Sequence, residues 1–169
     1  MLQVFAGLWG IAGVSLLLLS AIGRLLPLSL SAFDMPLSWH HWLTFWVFLI
    51  FMLYNEGYRG FQKAFSPRTA ARARYLSRSA TPAQAIFAPF FCMGYFHTTR
   101  KRQIISISIT CTVILLIILF HFLPQPWRGI LDGGVVAGLI WGILSFWYCC
   151  WNAWFNVHFS HSAELPHHS

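Results

Sequence analysis

The chain has 169 residues, a length typical of one domain, and 57% of them are apolar whereas only 9% are charged. Soluble domains carry about 25% charged residues, and a globule of this size could not bury so much apolar surface, so a soluble enzyme, a disordered chain and a disulfide-stapled secreted domain are all disfavoured. The net charge of +7 is concentrated in one connecting segment, which indicates membrane topology rather than nucleic-acid binding.

Four apolar runs are long enough to cross a hydrocarbon core, which takes about 20 helical residues. Arg24 and Pro27 end the first run, and Glu56 ends the second. We therefore expect an all-α integral membrane protein in which residues 1–169 form a single membrane domain, a four-span helical bundle. The predicted spans cover about 2–23, 36–55, 104–123 and 133–159.

The basic residues predict the orientation of these spans. Nine of the eleven Lys and Arg residues lie between Arg59 and Arg102. By the positive-inside rule, the connecting loop 56–103 faces the cytoplasm, and four crossings place both termini there as well. We expect the membrane to be a bacterial inner membrane.

The central loop carries a helix start signal at Ser66-Pro67, because serine caps free amides and proline fits the first helical turn. The helix that follows is basic. It either lies on anionic headgroups or is a solvated charged helix that enforces topology. Its arginines are Arg68, Arg72, Arg74 and Arg78.

A second start signal, the capping box Thr81-x-x-Gln84, opens the apolar segment 83–96. This segment is too short to span comfortably and contains Pro89. We expect an interfacial or re-entrant helix packed beneath the bundle, docked against the spans or in contact with lipid tails. Whether it enters the bilayer stays open.

Small and polar residues recur every three or four positions in the fourth span, which places them on one helical face. Such a face allows close helix packing in lipid, or it lines a polar groove for a ligand or ion. Small residues in the first span suggest a matching seam, so spans one and four are the expected close pair. The two sets are Gly134, Gly138, Gly142, Ser145, Cys149, Asn152 and Asn156, and Ala6, Gly10, Gly13 and Ser20.

Three histidines lie near the outer face in the predicted topology. His40 and His41 open the second span, and His121 ends the third. Histidines on facing helices can bind haem iron or another metal ion, but neighbours on a helix point about 100° apart. The alternative is that these side chains interact with water and headgroups at the interface.

Glu56 and Arg59 are three residues apart near the inner face, so we expect them to pair on one helical face. The pair is either a salt bridge that locks the loop to the bundle or part of a cytoplasm-facing pocket beneath segment 83–96. In such a pocket, Glu56, His97 and His158 are candidate catalytic acids or bases. The candidate binding residues are Asn55, Glu56, Arg59, Lys63, Asn152 and Asn156.

Three functions fit these patterns. The first is a non-enzymatic protein that binds a lipid or a partner, or assists assembly; it needs no cofactor. The second is a redox subunit that holds haem or a metal ion on the outer histidines. The third is a small enzyme acting on a lipid headgroup at the Glu/Arg/His pocket, although the chain lacks a Walker A motif, a nucleophile elbow and a zincin motif. The expected partners are the bilayer, anionic headgroups at the basic loop, and a partner membrane protein or second copy, but no nucleic acid.

Overall fold

The computed structural model describes residues 2–156, and every regular element in this part of the chain is helical. Within it, the three helices that begin at Leu2, Arg100 and Trp127 are long and apolar enough to cross a membrane. In chain order the elements are α1 (Leu2–Phe33), α2 (Trp39–Met52), a π-helical segment (Leu53–Phe65), α3 (Ser66–Ser79), α4 (Pro82–Ile86), α5 (Ala88–Met93), α6 (Arg100–His121) and α7 (Trp127–Phe155).

α7 is the central helix, because α1, α2, the π segment and α3 all pack against it. α1 runs antiparallel to α7. Near the middle of α1, Ser15 accepts a hydrogen bond from Trp147 Nε1 at 3.0 Å. Near its end, Ala32 lies against Gly129. The expected close pairing of the first and last apolar runs is therefore present.

α2, the π segment and α3 form one continuous helical path that runs parallel to α7. Phe48 lies against Gly134 at one end, and Ser66 Oγ lies 3.1 Å from Ser145 Oγ at the other. The backbone stays right-handed helical through both junctions. α3 begins at Ser66 with Pro67 in its first turn, as predicted, but the chain enters it from a helix, so no cap is needed.

The helix bounds differ from the predicted spans. α1 continues past Arg24 and Pro27 to Phe33, because its later turns gain partners: Gln125 Nε2 donates to the Leu28 carbonyl at 3.3 Å. α7 begins six residues before position 133. The second apolar run is helical, but α2 has only 14 residues before the π segment begins, so it is not among the three candidate spans.

α3 is not the surface helix expected from its arginines. Eight of its 14 residues are buried, and it packs against α1, α5 and α7. Alanines at 70, 71 and 73 permit this close approach, since they add little bulk between neighbouring helices. Arg72 is buried, whereas Arg78 is exposed.

The predicted apolar segment 83–96 forms two short helices, α4 and α5, docked against α1. The capping box is present: Gln84 N donates to Thr81 Oγ1, and Thr81 N donates to Gln84 Oε1. α5 meets the small residues of α1, with Cys92 against Gly10 and Pro89 against Gly13. This contact fits the prediction that the segment packs on the bundle.

α6 stands apart from the other helices. Ser106 is its only buried residue, and the apolar side chains along the rest of its length are exposed. It is held near its start, where Ser106 Oγ donates to the Met93 carbonyl at 3.2 Å and Gln103 Nε2 donates to the Tyr95 carbonyl at 2.9 Å. Tyr95 also bonds Thr110.

Candidate functional site

The π register determines which side chains of the second helical path face α7. Its backbone hydrogen bonds run from residue i to i+5 rather than i+4. Residues four or five apart therefore share a face, and the residues that meet α7 follow this spacing. They are Met52 against Gly134, Gly57 against Trp141, Phe61 against Gly142 and Ser66 against Ser145.

Glu56 lies on the face of the π segment that meets α7. Its Oε2 is fully buried, 3.0 Å from where a Cβ would stand at Gly138, and has no hydrogen-bond partner in the described part of the chain. Arg59 is exposed, and no ion pair joins it to Glu56. The expected salt bridge is therefore wrong, because residues three apart do not share a face in a π-helix.

The remaining polar residues of this stretch do not converge on Glu56. Asn55 Nδ2 donates to the Phe51 carbonyl at 3.1 Å in its own helix. Lys63 is exposed, and its Nζ lies 4.5 Å from the centre of the Tyr58 ring, five residues earlier. The π spacing again accounts for this contact.

The predicted cytoplasm-facing pocket is not assembled. Gly138, beside Glu56, and Asn152 are both on α7, about 21 Å apart along its axis at 1.5 Å per residue. His97 belongs to the turn after α5, where its ring lies near Phe91 and Phe96. Asn156 follows the end of α7, with its N–H bonded to the Asn152 carbonyl. His158 lies outside the described residues.

Local contacts position His40 and His41, two of the three histidines predicted near the outer face. His41 Nδ1 accepts the Ser38 N–H at 3.1 Å, so this ring caps α2, a role that the sequence analysis missed. Both His40 and His41 rings lie beside the indole of Trp127 at the start of α7. His121 is exposed on α6. Over residues 2–156, no group of three or more His, Cys, Asp or Glu side chains could hold a metal ion.

The small-residue face of α7 is real, but its partner differs from the one expected. Gly134, Gly138 and Gly142 receive side chains from α2 and the π segment, not from α1. The matching face of α1, which includes Gly10 and Gly13, receives α5. Sequence spacing identified both seams, whereas their partners depend on the π register and on the docking of α5.

An apolar groove of about 760 Å³ opens beside α4 and α5. Phe87 and Phe90 are 54% and 51% exposed, so the groove presents aromatic surface to its surroundings. Their rings pack edge-to-face against Phe96 and Tyr95. The lining residues are Ala83, Gln84, Phe87, Phe90, Tyr95, Phe96 and His97.

Arg72 fixes the wall of this groove. Its guanidinium donates to three main-chain carbonyls, those of Phe91 at 2.6 Å, Phe96 at 2.9 Å and His97 at 3.0 Å. It also stacks on the Phe91 ring at 4.1 Å. The turn that it holds contains two left-handed residues, Gly94 and His97. A non-glycine residue is uncommon in this conformation, so the turn depends on its surroundings.

A basic cluster follows the groove in the chain. The cluster is Arg100, Lys101 and Arg102, the first turn of α6, and its first two members are exposed. Only Thr98 and Thr99 separate it from His97, which lines the groove. Three residues span at most about 11 Å, so the backbone of this cluster begins within that distance of His97.

Cys92 is a buried residue of α5, outside the three long helices. Burial raises the pKa of its thiol to about 12, although the Arg72 charge opposes the shift. The thiol therefore stays protonated at neutral pH and is a poor nucleophile. This agrees with a packing role for the residue.

Comparison with known proteins finds no family model, no curated protein and no solved structure that matches this chain.

Proposed function

We propose that this chain is a multi-pass membrane protein that binds an anionic lipid in the groove beside α4 and α5, without catalysing a reaction on it. The observation that carries the proposal is an exposed aromatic groove whose lining ends three residues before an exposed pair of cations. A groove of about 760 Å³ falls in the range of small-ligand sites, roughly 300–1,000 Å³. An acyl chain would cover the rings of Phe87 and Phe90.

The charge at the groove favours an anionic headgroup. Arg100 and Lys101 are exposed within four residues of His97, and guanidinium and ammonium groups both bind phosphate. No acidic residue lies between Glu56 and Asp132 to oppose this preference. A neutral headgroup would gain less from these side chains.

The proposed topology places the groove where anionic lipids are found. In it, the path through α2 and the π segment forms the second crossing, between α1 and α6. The connection that follows this crossing, residues 66–103, and both termini then face the cytoplasm. The cytoplasmic leaflet carries anionic lipids and a negative surface potential, so the basic start of α6 would lie among its headgroups.

The other two functions have less geometric support. A headgroup enzyme at the inner pocket needs Glu56 close to His97, yet Glu56 packs against Gly138 while His97 lies beside α5. A redox subunit on the outer histidines needs an unprotonated ring nitrogen as ligand, but His41 Nδ1 accepts the Ser38 N–H, which leaves the proton of the neutral ring on Nε2.

Replacing Phe87 and Phe90 together by Gln tests the groove. The purified variant should retain several-fold less anionic phospholipid in mild detergent, measured by mass spectrometry of extracted lipid. Ile86→Gln is the matched control, because Ile86 is 69% exposed at the end of α4 but does not line the groove. Unchanged anionic lipid in the double variant, with the fold intact, would rule out the groove as the binding site.

Replacing Arg100 and Lys101 by Gln tests the headgroup preference. Retained anionic lipid should fall while retained neutral lipid stays constant. Arg78→Gln is the control, since Arg78 is also exposed in the basic loop but lies at the end of α3. An equal loss with Arg78→Gln would mean that net charge alone attracts the lipid, and the proposed site would be rejected.

A further inference from the structure

Glu56 is a carboxyl that packs against an uncharged stretch of α7. The arginines of α3, which also contacts the π segment, begin at Arg68, twelve residues further along the chain. On α7, the stretch 133–155 contains no Asp, Glu, Lys, Arg or His. On α2, the only titratable residues are His40 and His41, at its opposite end. The two cations of its own segment, Arg59 and Lys63, are exposed, so neither is positioned to neutralise it.

The immediate contacts of Glu56 hold its side chain against α7. Gly138 has no side chain, which leaves room for the carboxyl, and neighbouring Gly57 lies against the Trp141 indole. Trp141 Nε1 donates to Gln62 Oε1 at 2.9 Å, so the indole is itself anchored to the π segment. The carboxyl is therefore held in place by packing rather than by a charge partner.

An ionised carboxylate in such surroundings is costly. Burying a charge without a partner costs much more free energy than burying the neutral acid. Acidic residues at membrane depth accordingly mark proton and ion sites in many membrane proteins. A proton is the smallest ligand that removes this cost, and it needs no further protein group.

We propose that Glu56 is a proton-binding site inside the bundle. Its carboxyl carries a proton in the folded protein at neutral pH, and this proton passes to water when the π segment separates from α7. The π register has a role in the site, because it turns Glu56 toward Gly138 and leaves Arg59 outside. The inference is independent of lipid binding in the groove.

Infrared spectroscopy tests the protonation state directly. The purified protein at pH 7 should show the C=O stretch of a protonated carboxyl, and a large part of this band should be missing in Glu56→Gln. Asp132→Asn separates out any contribution from Asp132, the other buried acid in the described chain. Identical band areas for wild type and Glu56→Gln at pH 7 would overturn the proposal.

A hydrophobic carbodiimide gives a second readout, because it reacts with protonated carboxyls in apolar surroundings. At pH 7 it should modify Glu56 and spare the exposed Asp34, with the yield at Glu56 falling as the pH is raised. Selective modification of Asp34 would contradict the proposal.

The neutral variant Glu56→Gln provides the stability test. It should fold and should melt within a few degrees of wild type at pH 7, since Gln resembles the protonated acid. Because folding strengthens proton binding by Glu56, wild-type stability should fall as the pH rises from about 4.3, where an unfolded glutamate titrates, to the pH at which the buried carboxyl ionises. Glu56→Gln should lose that part of the dependence. A variant that melts far below wild type at every pH would show that the charged form is needed.

Discussion

Arg72 is a buried cation that binds main-chain carbonyls. It joins α3 to the turn after α5 through the carbonyls of Phe91, Phe96 and His97. A planar guanidinium can serve several acceptors at once, whereas a lysine ammonium has a different shape and fewer donors. Arg72 is thus a structural residue that supports the groove.

Arg72→Ala should lower the free energy of unfolding by at least about 3 kcal/mol, because a single hydrogen bond to a charged group contributes about 1.5–3 kcal/mol and three carbonyls would lose their donor. Thermal unfolding in detergent measures the loss. Arg78→Ala, at an exposed position, should stay within about 0.5 kcal/mol of wild type. Equal stability of Arg72→Ala and wild type would show that the turn is held by its other contacts.

Sequence alone could not single out Arg72 among the four arginines of α3. All four have the same chemistry and similar spacing, and only the docking of α5 separates the buried one from the others. Glu56 was identified from the sequence as an isolated acid among bases. Its actual partner, Gly138, is 82 positions away in the chain and was assigned to a seam with α1 instead.

At the scale of helices, close packing in this protein depends on glycines that receive large side chains. A Cβ at Gly142 would stand 2.6 Å from the Phe61 ring, which requires a ring or backbone shift. Gly142→Ala should therefore destabilise the protein by about 1–3 kcal/mol through overpacking. Gly23→Ala is the matched control, since nothing lies within 4 Å of its added methyl group.

Gly23→Ala should be neutral or stabilising by about 0.5–1 kcal/mol, because glycine is the more costly residue inside a helix. Melting temperatures of both variants in the same detergent provide the comparison. A Gly142→Ala protein as stable as Gly23→Ala would show that Phe61 moves aside freely.

The helices themselves were largely predictable, because long apolar runs and capping signals act locally. The starts of α3 and α4 follow Ser66-Pro67 and the Thr81 capping box. The π segment was not predictable, since its register depends on side chains fitting against α7 rather than on a local signal. The aromatic residues of segment 83–96 were visible in the sequence, but the groove depends on the turn that Arg72 holds.

At the scale of the whole molecule, composition and charge predict a helical membrane protein, and three candidate spans agree with this. The second crossing is a proposal. It can be tested by labelling Asp34→Cys and Ser79→Cys separately, in a background where the four native cysteines are replaced. An impermeant maleimide applied to intact cells should label Asp34→Cys, and it should label Ser79→Cys only after permeabilisation.

Labelling of both positions from the same side would show that the path from α2 to α3 does not cross the membrane. The proposed placement of the groove in the cytoplasmic leaflet would then also be wrong.

The central position of α7 has a consequence for biosynthesis. α7 follows every helix that packs against it, so α1 and the path from α2 to α3 leave the ribosome before their principal partner exists. Until α7 arrives, Phe48, Glu56 and Phe61 lack the glycines that receive them. These helices therefore remain without that partner during synthesis, and assembly of the bundle is completed only after translation has passed Phe155.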